Sequence, residues 1–392
     1  MKVLSVNAGS SSLKFQLYEM PQEEVLVSGV FERIGIPGGF YTLKFSGEKI
    51  KKAQNLESHE SAVSILIDEL ISNNIVSSLE EIEAIGHRVV HGGDQYSDSV
   101  IIDQDVLKAI EDLSELAPLH NPANIIGIKA FESKVPNATS VAVFDTAFHQ
   151  TIDKEEYLYS VPYEWYEKYK VRKYSFHGTS HKYITNRMQR ILGKKDVNLI
   201  TCHLGNGASI SAIKNGESKD NSMGFTPNAG LIMGTRSGDI DFTIIPHIMN
   251  VKNVSLNDVL EDLNKKSGYL GISSISSDSR DIEDAFINGD EKAIVAQNMY
   301  VKRIVSYISS YYVFLGQVDA ITFSGGVGEN SSLTRKMIID KLKPLGIMVD
   351  DSLNNEKGDE FKISDLNSTV SCYVIKTDEE VMIAKETYEL AN

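Results

Sequence analysis

Two stretches about half a chain apart share one pattern of apolar and polar positions. Residues 2–6 form an apolar run, residues 7–12 (Asn7-Ala-Gly-Ser-Ser-Ser) are uniformly small, and residues 13–18 alternate. Residues 197–201 are again largely apolar and lead into His203-Leu204-Gly205-Asn206-Gly207-Ala208-Ser209. An alternating run over 209–214 follows, then Asn215-Gly216, a two-residue hairpin signal. Strand, small-residue loop, strand brings backbone N–H groups close to an anion, because no bulky Cβ stands in the way. Either stretch alone reads equally well as an ordinary glycine turn. The pair, each with Asn in the loop and Ser after it, predicts a duplicated architecture that handles a phosphate.

Between and after these stretches the pattern alternates strands with helices. Strands are predicted at 25–30 and 41–45, joined by a Gly/Pro turn at 35–39, and apolar residues at helical spacing predict a helix over 61–71. A strand over 82–90 carries Gly86-His87-Arg88-Val89-Val90-His91-Gly92-Gly93. Residues two apart in a strand share a face, so Arg88 and Val90 would line one wall, charged and apolar. The plainer reading of Arg88 is an edge-strand arginine in water. A helix over 105–116, a rigid turn at 117–122 and a helix over 123–131 come next, with Pro122 suited to a helix start. The buried strand 140–144 ends in Asp145, where open α/β sheets place ligand groups; a helix N-cap is the alternative.

The second half continues in the same way. His177 and His181 are four apart, before a helix that runs to 192. The glycine between them, the absence of HExxH and a helix cap at Thr179 or Ser180 argue against zinc and favour His177 as a donor to an anion. Arg236 lies among small residues, with an ion pair to Asp239 or Asp241 as its plainer use. Helices are predicted at 254–265 and 294–315, and a polar loop at 271–280. A buried strand over 318–323 ends in Ser324-Gly325-Gly326-Val327-Gly328-Glu329-Asn330, with a helix opening after it. It is not GxGxxG, and no GxxxxGK[ST] occurs, so a Walker-type nucleotide site is excluded. A strand over 370–375 precedes residues 377–380, the cap and first turn of a last helix, where Glu379 suits the helix dipole.

Composition narrows the function classes. The 392 residues exceed the usual size of a single core, so two domains are expected. A net charge of −15 argues against nucleic acid as the partner. The basic groups are local instead: seven of nine histidines fall between His87 and His203, interleaved with Arg88, Arg172 and Lys173. Two cysteines without CxxC spacing suit a cytoplasmic protein with reduced thiols, and no signal region or membrane span is expected.

Taken together the motifs resemble the acetate kinase family, within the fold group of acetate and sugar kinases, heat-shock chaperones and actin. The matching stretches are NAGSSSLKF from Asn7, GHRVVHGG from Gly86, LAPLHNPAN from Leu116, VFDTAFHQ from Val143 and FHGTSH from Phe176. HLGNGASI from His203, SMGFTP from Ser222, MGTRSGDID from Met233, SSDSRDI from Ser276 and SGGVGEN from Ser324 complete the set, in order along nearly the whole chain. Departures are small: Asp94 after HGG, Asn228-Ala229 after SMGFTP, and Phe242 after GTRSGDID. The Asn228-Ala229 change lies beside the expected acyl pocket.

The resemblance implies an α/β protein with two duplicated, ribonuclease H-like (actin-like) domains, mixed sheets and an interdomain cleft that closes on nucleotide. The expected division is 1–148 plus a returning helix at about 380–392, against a nucleotide-binding part at 149–379. It implies reversible phosphoryl transfer between ATP and acetate, giving acetyl phosphate and ADP, with Mg²⁺ (or Mn²⁺) as cofactor and a homodimer as the assembly. By motif, Arg88, Asp145, His177 and Arg236 become the catalytic set, and Arg88, Val90, Leu119, Phe176 and Pro227 hold acetate. Asn7 and Glu379 belong to the metal. Lys14, His203, Leu204, Gly205, Asn206, Gly207, Asp278, Ser279, Arg280, Gly326, Val327, Gly328, Glu329 and Asn330 belong to the nucleotide. Propionate or butyrate as acceptor, or an actin- or chaperone-like ATPase, are the competing readings.

Overall fold

The computed structural model describes residues 1–118 and 120–392. The chain divides into two compact units, Met1–Gln150 with Asp378–Asn392, and Thr151–Thr377.

The first unit is built on an eight-stranded mixed sheet. Its strands are β1 (Lys2–Ala8), β2 (Ser12–Glu19), β3 (Glu24–Glu32), β4 (Phe40–Phe45), β5 (Glu48–Ala53), β6 (Ile82–Val89), β7 (Val100–Ile101) and β8 (Thr139–Phe144), in the order β5-β4-β3-β2-β1-β6-β8-β7. β1 runs antiparallel to β2 and parallel to β6, with Asn7 opposite Lys14 and Val6 opposite His87. One face of the sheet carries Val6, Leu13, Phe15 and Ile85, packed with Leu66 of helix His59–Ser72 and Phe131 of helix Asn121–Lys134. Each such side chain taken from water stabilises the fold by about 1.5–3 kcal/mol. Helix Glu379–Ala391 is held against β6 and β8, with Ile383 clustered with Val141 and Val143. Gly86 permits that approach: a Cβ there would stand 2.1 Å from Thr387 Oγ1 and 2.6 Å from Ile383 Cγ2.

The second unit repeats the plan with six strands: β9 (Leu199–Leu204), β10 (Ala208–Lys214), β11 (Glu217–Asn221), β12 (Ala320–Ser324), β13 (Glu360–Lys362) and β14 (Ser371–Ile375), in the order β11-β10-β9-β12-β14-β13. The run β3-β2-β1-β6-β8 has its counterpart in β11-β10-β9-β12-β14: an antiparallel meander continued by two parallel strands. The loops echo each other in atomic detail. Gly9 N donates to Ser12 O at 2.9 Å, and Gly205 N donates to Gly207 O at 3.0 Å. The first glycine amide of each loop is therefore spent on closing its own turn.

Several expected bounds move for physical reasons. β9 runs on through His203 and β10 starts at Ala208, so His203 and Ser209 are cross-strand neighbours and the loop shrinks to residues 205–207. β6 ends at Val89, so alternation does not govern Val90. Neither Thr179 nor Ser180 caps its helix; both lie in the first turn of Gly178–Leu192, and His177 holds the cap position at φ 59°. The stretch predicted as a polar loop at 271–280 ends helix Gly268–Ser273 and begins helix Ser279–Ile287, because Asp278 accepts from Arg280 N as an N-cap. The glycine run is itself the short helix Gly325–Asn330, ahead of helix Ser332–Leu342. Glu48–Ala53, Glu217–Asn221 and helix Ile244–Lys252 were not anticipated; the two strands are largely polar and lack an apolar alternation.

Candidate active site

The residues singled out by motif fall in both units, and each set stands on its own elements. In the first unit Arg88 projects from the end of β6 and is half-buried, not an edge-strand arginine in solvent. Its Nη2 lies 3.0 Å from Asp145 Oδ2, and its Nε lies 3.8 Å from Glu379 Oε2. Burial works against the guanidinium charge, but Asp145, Glu379 and Glu380 outweigh it and the pKa of Arg88 is raised. Glu379 pays the converse: desolvation, with Asp145 and Glu380 nearby, pushes its carboxyl up to about 7 despite Arg88 and Lys14. Asp145 is an arginine partner just past the end of β8. Asn7 sits on β1 opposite Lys14, and Lys14 pairs with Glu380. Lys14 is thus a first-unit residue, as is Glu379, which the expected division had put with the nucleotide-binding part.

Two asparagines of the LHNPAN motif fix the backbone beside Arg88. Asn124 Oδ1 accepts from Val90 N at 3.1 Å while its Nδ2 donates to Ala8 O at 2.8 Å. Asn121 accepts from His91 N and donates to His91 O and Ile110 O. Val90 is 7% exposed. Leu119, the other expected apolar wall of this half, lies outside the described residues.

In the second unit Phe176 is buried, and His177 follows it in a left-handed conformation. Ser175 is left-handed too, at φ 67°, so two non-glycine residues around Phe176 hold sparsely populated backbone, a form of strain that collects at functional sites. His177 Nδ1 lies 2.9 Å from Ser209 Oγ, and its ring centroid lies 4.3 Å from that of His203. A Cβ built on Gly207 would stand 3.6 Å from His177 Nε2 and 3.5 Å from Arg236 Nη1, which brings loop, histidine and arginine to one place.

Arg236 is half-buried and makes neither of the ion pairs that its plainer reading offered. Its Nη1 donates to Pro227 O at 3.2 Å and contacts Met233 Sδ at 3.6 Å, and burial alone pushes its pKa down. Asp239 is engaged elsewhere: it accepts from Gly230 N and from Tyr307 OH, both at 2.7 Å, and lies 3.7 Å from Arg303 Nη1. Asp241 accepts from Thr243. Among the described residues no carboxylate pairs with Arg236. A guanidinium that no carboxylate neutralises can receive a phosphoryl or carboxylate group.

The same unit holds a cavity of about 800 Å³, lined by eight expected nucleotide residues: Gly205, Asn206, Asp278, Ser279, Arg280, Gly326, Val327 and Asn330. Pockets of about 300–1,000 Å³ suit small ligands and cofactors. Gly234, Tyr269 and Glu283 join the wall. Gly234 is required there: a Cβ would lie 1.8 Å from Asn206 Oδ1. His203, Leu204, Gly207, Gly328 and Glu329 do not line it. Leu204 and Gly328 are buried, His203 Nδ1 bonds to Ser180 Oγ at 2.8 Å, and Glu329 accepts from Gly325 N and Thr377 N. Arg280 is exposed, and its guanidinium is paired with Asp278, which it holds down to about 2.

A family model described as the acetokinase family matches residues 2–385. The chain belongs to the acetokinase family. An acetate kinase of Geobacillus sp. (strain WCH70) is 54% identical over 393 aligned positions, covering 100% of this chain and 99% of that one. The crystal structure of Porphyromonas gingivalis acetate kinase superposes with a TM-score of 0.95 at 44% identity, with full coverage of both chains. A propionate kinase from Francisella tularensis superposes equally well, at 42% identity and 99% coverage of each chain.

Within this acetokinase-family chain, sequence motifs had missed the residues that hold the site residues in place. Tyr159 OH accepts from Phe225 N at 2.8 Å, and Gly224 O accepts from both Tyr174 N and Ser175 N at 3.1 Å, tying the loop of Pro227 to that of Phe176. Arg335, 2% exposed, donates to Asn354 Oδ1, Asn354 O, Gly328 O and Glu329 O. A lone arginine in a helix carries no sequence signal of such a role. The paired asparagines were visible as a motif, but their bonding was not.

Proposed function

We propose that this protein is an acetate kinase that transfers the γ-phosphoryl group of ATP to acetate, reversibly. The observation that carries the reading is Arg236: a half-buried cation without a carboxylate partner, beside His177, in the unit that also holds the cavity. The acceptor is a carboxylate, already ionised, so the site needs no general base. The barrier is the approach of two anions and the charge on the moving phosphoryl group, which fixed cations and donors stabilise. Arg236 and His177 meet that charge. Asp145 and Glu379 set the orientation of Arg88, whose planar fork receives the acetate carboxylate.

The cavity takes the nucleotide. Although Arg280 pairs with Asp278, the cavity wall with Glu283 and Asp284 stays acidic and repels phosphate, so the base and ribose lie there and the phosphates lie toward Asn206 and Gly205. The first unit supplies acetate and metal residues. Asn7 and Glu379 can each offer an oxygen donor, the kind Mg²⁺ prefers, and a dication would offset the desolvation and the neighbouring Asp145 and Glu380 charges that push up Glu379. Mg²⁺ held by Asn7 and Glu379 would neutralise phosphate charge.

A hydroxamate assay for acyl phosphate with ATP, Mg²⁺ and acetate, propionate or butyrate tests the reading. Acetate should give the highest kcat/KM; a preference for propionate would move the protein to that acceptor, and no acyl phosphate from any acid would overturn the reading. Val90 is proposed as part of the methyl wall. One methylene is worth about 0.8 kcal/mol, so V90A should raise the propionate-to-acetate ratio of kcat/KM by about fourfold. An unchanged ratio would remove Val90 from the wall.

A homodimer belongs to the same proposal. Phe242 is 79% and Val313 77% exposed, and Val251, Leu256, Leu260 and Met299 add exposed apolar surface in the second unit. Sedimentation velocity at micromolar concentration should give the mass of two chains, and the double variant F242D/V313D should sediment as one. A wild-type monomer would refute the dimer.

A further inference from the structure

Helix Gly178–Leu192, β9 and β10 enclose a line of four side chains, three of which the reaction as described leaves without a task. His181, 1% exposed, has Nδ1 at 2.7 Å from Thr201 Oγ1 and Nε2 at 2.8 Å from Ser209 Oγ. Ser209 Oγ lies 2.9 Å from His177 Nδ1. Thr201 and Ser209 are buried as well. The line therefore starts in the interior and ends at the histidine whose other nitrogen faces Gly207 and the side of Arg236.

Proton counting gives the line a direction. A hydroxyl has one proton to donate, and a neutral imidazole has one donor and one acceptor nitrogen. Ser209 stands between two imidazole nitrogens and cannot donate to both, so one ring must donate to it. Ser209 can also accept from both rings, but its own buried proton then has no acceptor, since among the described residues its hydroxyl meets only these two partners. With neutral rings every proton of the line is used only if the three hydrogen bonds run the same way. Running outward, Thr201 donates to His181 Nδ1, His181 Nε2–H to Ser209, and Ser209 to His177 Nδ1, so His177 carries its proton on Nε2 and presents N–H to the site. Running inward, every bond reverses and His177 presents a lone pair. A lone pair repels a phosphoryl oxygen and an N–H attracts it. Each bond in such a line polarises the next, so the direction is set for the whole line.

We propose that Thr201, His181 and Ser209 are positioning residues that fix the tautomer of His177 and so present it to the transferring phosphoryl group as an Nε2–H donor. The inference rests on reading His177 as a donor to that group. In the alternative, purely packing role, the three side chains would fill space and leave the tautomer of His177 indifferent to them.

The test uses the full-length protein labelled with ¹⁵N-histidine, in complex with Mg²⁺, a non-hydrolysable ATP analogue and acetate, with the His177 resonances assigned from H177Q. Two-bond ¹⁵N–¹H correlations should show His177 as the Nε2–H tautomer. S209A should turn it into a mixture and lower kcat by about tenfold or more, as for a misdirected donor, with KM for ATP and acetate within about threefold. S209T keeps the hydroxyl and should restore both tautomer and most of kcat. T201V, a milder change at the far end, should move the tautomer ratio in the same direction. An Nδ1–H tautomer in the wild-type complex, or an unchanged tautomer in both S209A and T201V, would overturn the proposal. H177Q with full kcat would remove the phosphoryl reading of His177 while the tautomer measurement still decides whether the line sets its proton.

Discussion

R236A should lose at least about 10³-fold in kcat for acyl phosphate formation, roughly 4 kcal/mol of transition-state stabilisation, with the fold intact. The size follows from the surroundings of Arg236. Its charge is half-buried and no carboxylate neutralises it, so its electrostatic pull is available to an incoming anion. Its structural ties are slight, one bond to Pro227 O and one contact to Met233 Sδ, so its removal should cost little stability. R236K should recover only part of the rate, because an ammonium is a point charge and cannot offer the planar fork. Circular dichroism and thermal melting of R236A should match wild type. A folded R236A enzyme within tenfold of wild-type kcat would defeat the assignment.

R335M should be the most destabilising of the single changes considered. Arg335 spends four hydrogen bonds on Asn354, Gly328 and Glu329 in an almost dry setting, and burial there pushes its pKa down to about 10. Methionine fills much of the volume but leaves those acceptors without their donor. Each buried acceptor left without a donor costs about 1–3 kcal/mol, so a total of roughly 3–5 kcal/mol is expected here. For a unit of this size that lowers Tm by roughly 10 °C. The carbonyls it holds close the end of helix Gly325–Asn330, which contributes Gly326, Val327 and Asn330 to the cavity, so KM for ATP should rise as well. A fall in Tm below about 2 °C would show that the network carries little of the stability.

These two arginines show what could be read ahead of the structure. Arg236 lies among small residues, and the sequence suggested from them that a ligand could reach it. Its isolation from Asp239 was not, because that depends on Tyr307 and Arg303 of a helix far along the chain. Arg335 had no signal, since its partners Gly328 and Asn354 meet it only after the helices pack. The duplicated strand–loop–strand pattern announced the duplicated sheets, because a buried strand and its glycine turn are local features. The loop amides were overestimated, since Gly9 and Gly205 close their own turns. Edge strands such as Glu48–Ala53 escaped because exposure on both faces removes the alternation that marks a strand. The histidine line from Thr201 to His177 crosses two strands and a helix, and only the register of β9 against β10 brings its members together.

The return of residues 378–392 to the first unit has a consequence for biosynthesis. As the chain leaves the ribosome, Arg88 and Asp145 emerge early, but the helix that covers Val141, Val143 and Gly86 arrives only after the whole of residues 151–377 has been made. Until then β6 and β8 keep an apolar face open to water, and Arg88 lacks Glu379. The second unit can close while the first still waits, so the first unit is finished last, and a chain halted at residue 377 would expose the apolar face that the last helix covers. Glu379, at the head of the returning helix, reaches Arg88 in the same step that closes the sheet face.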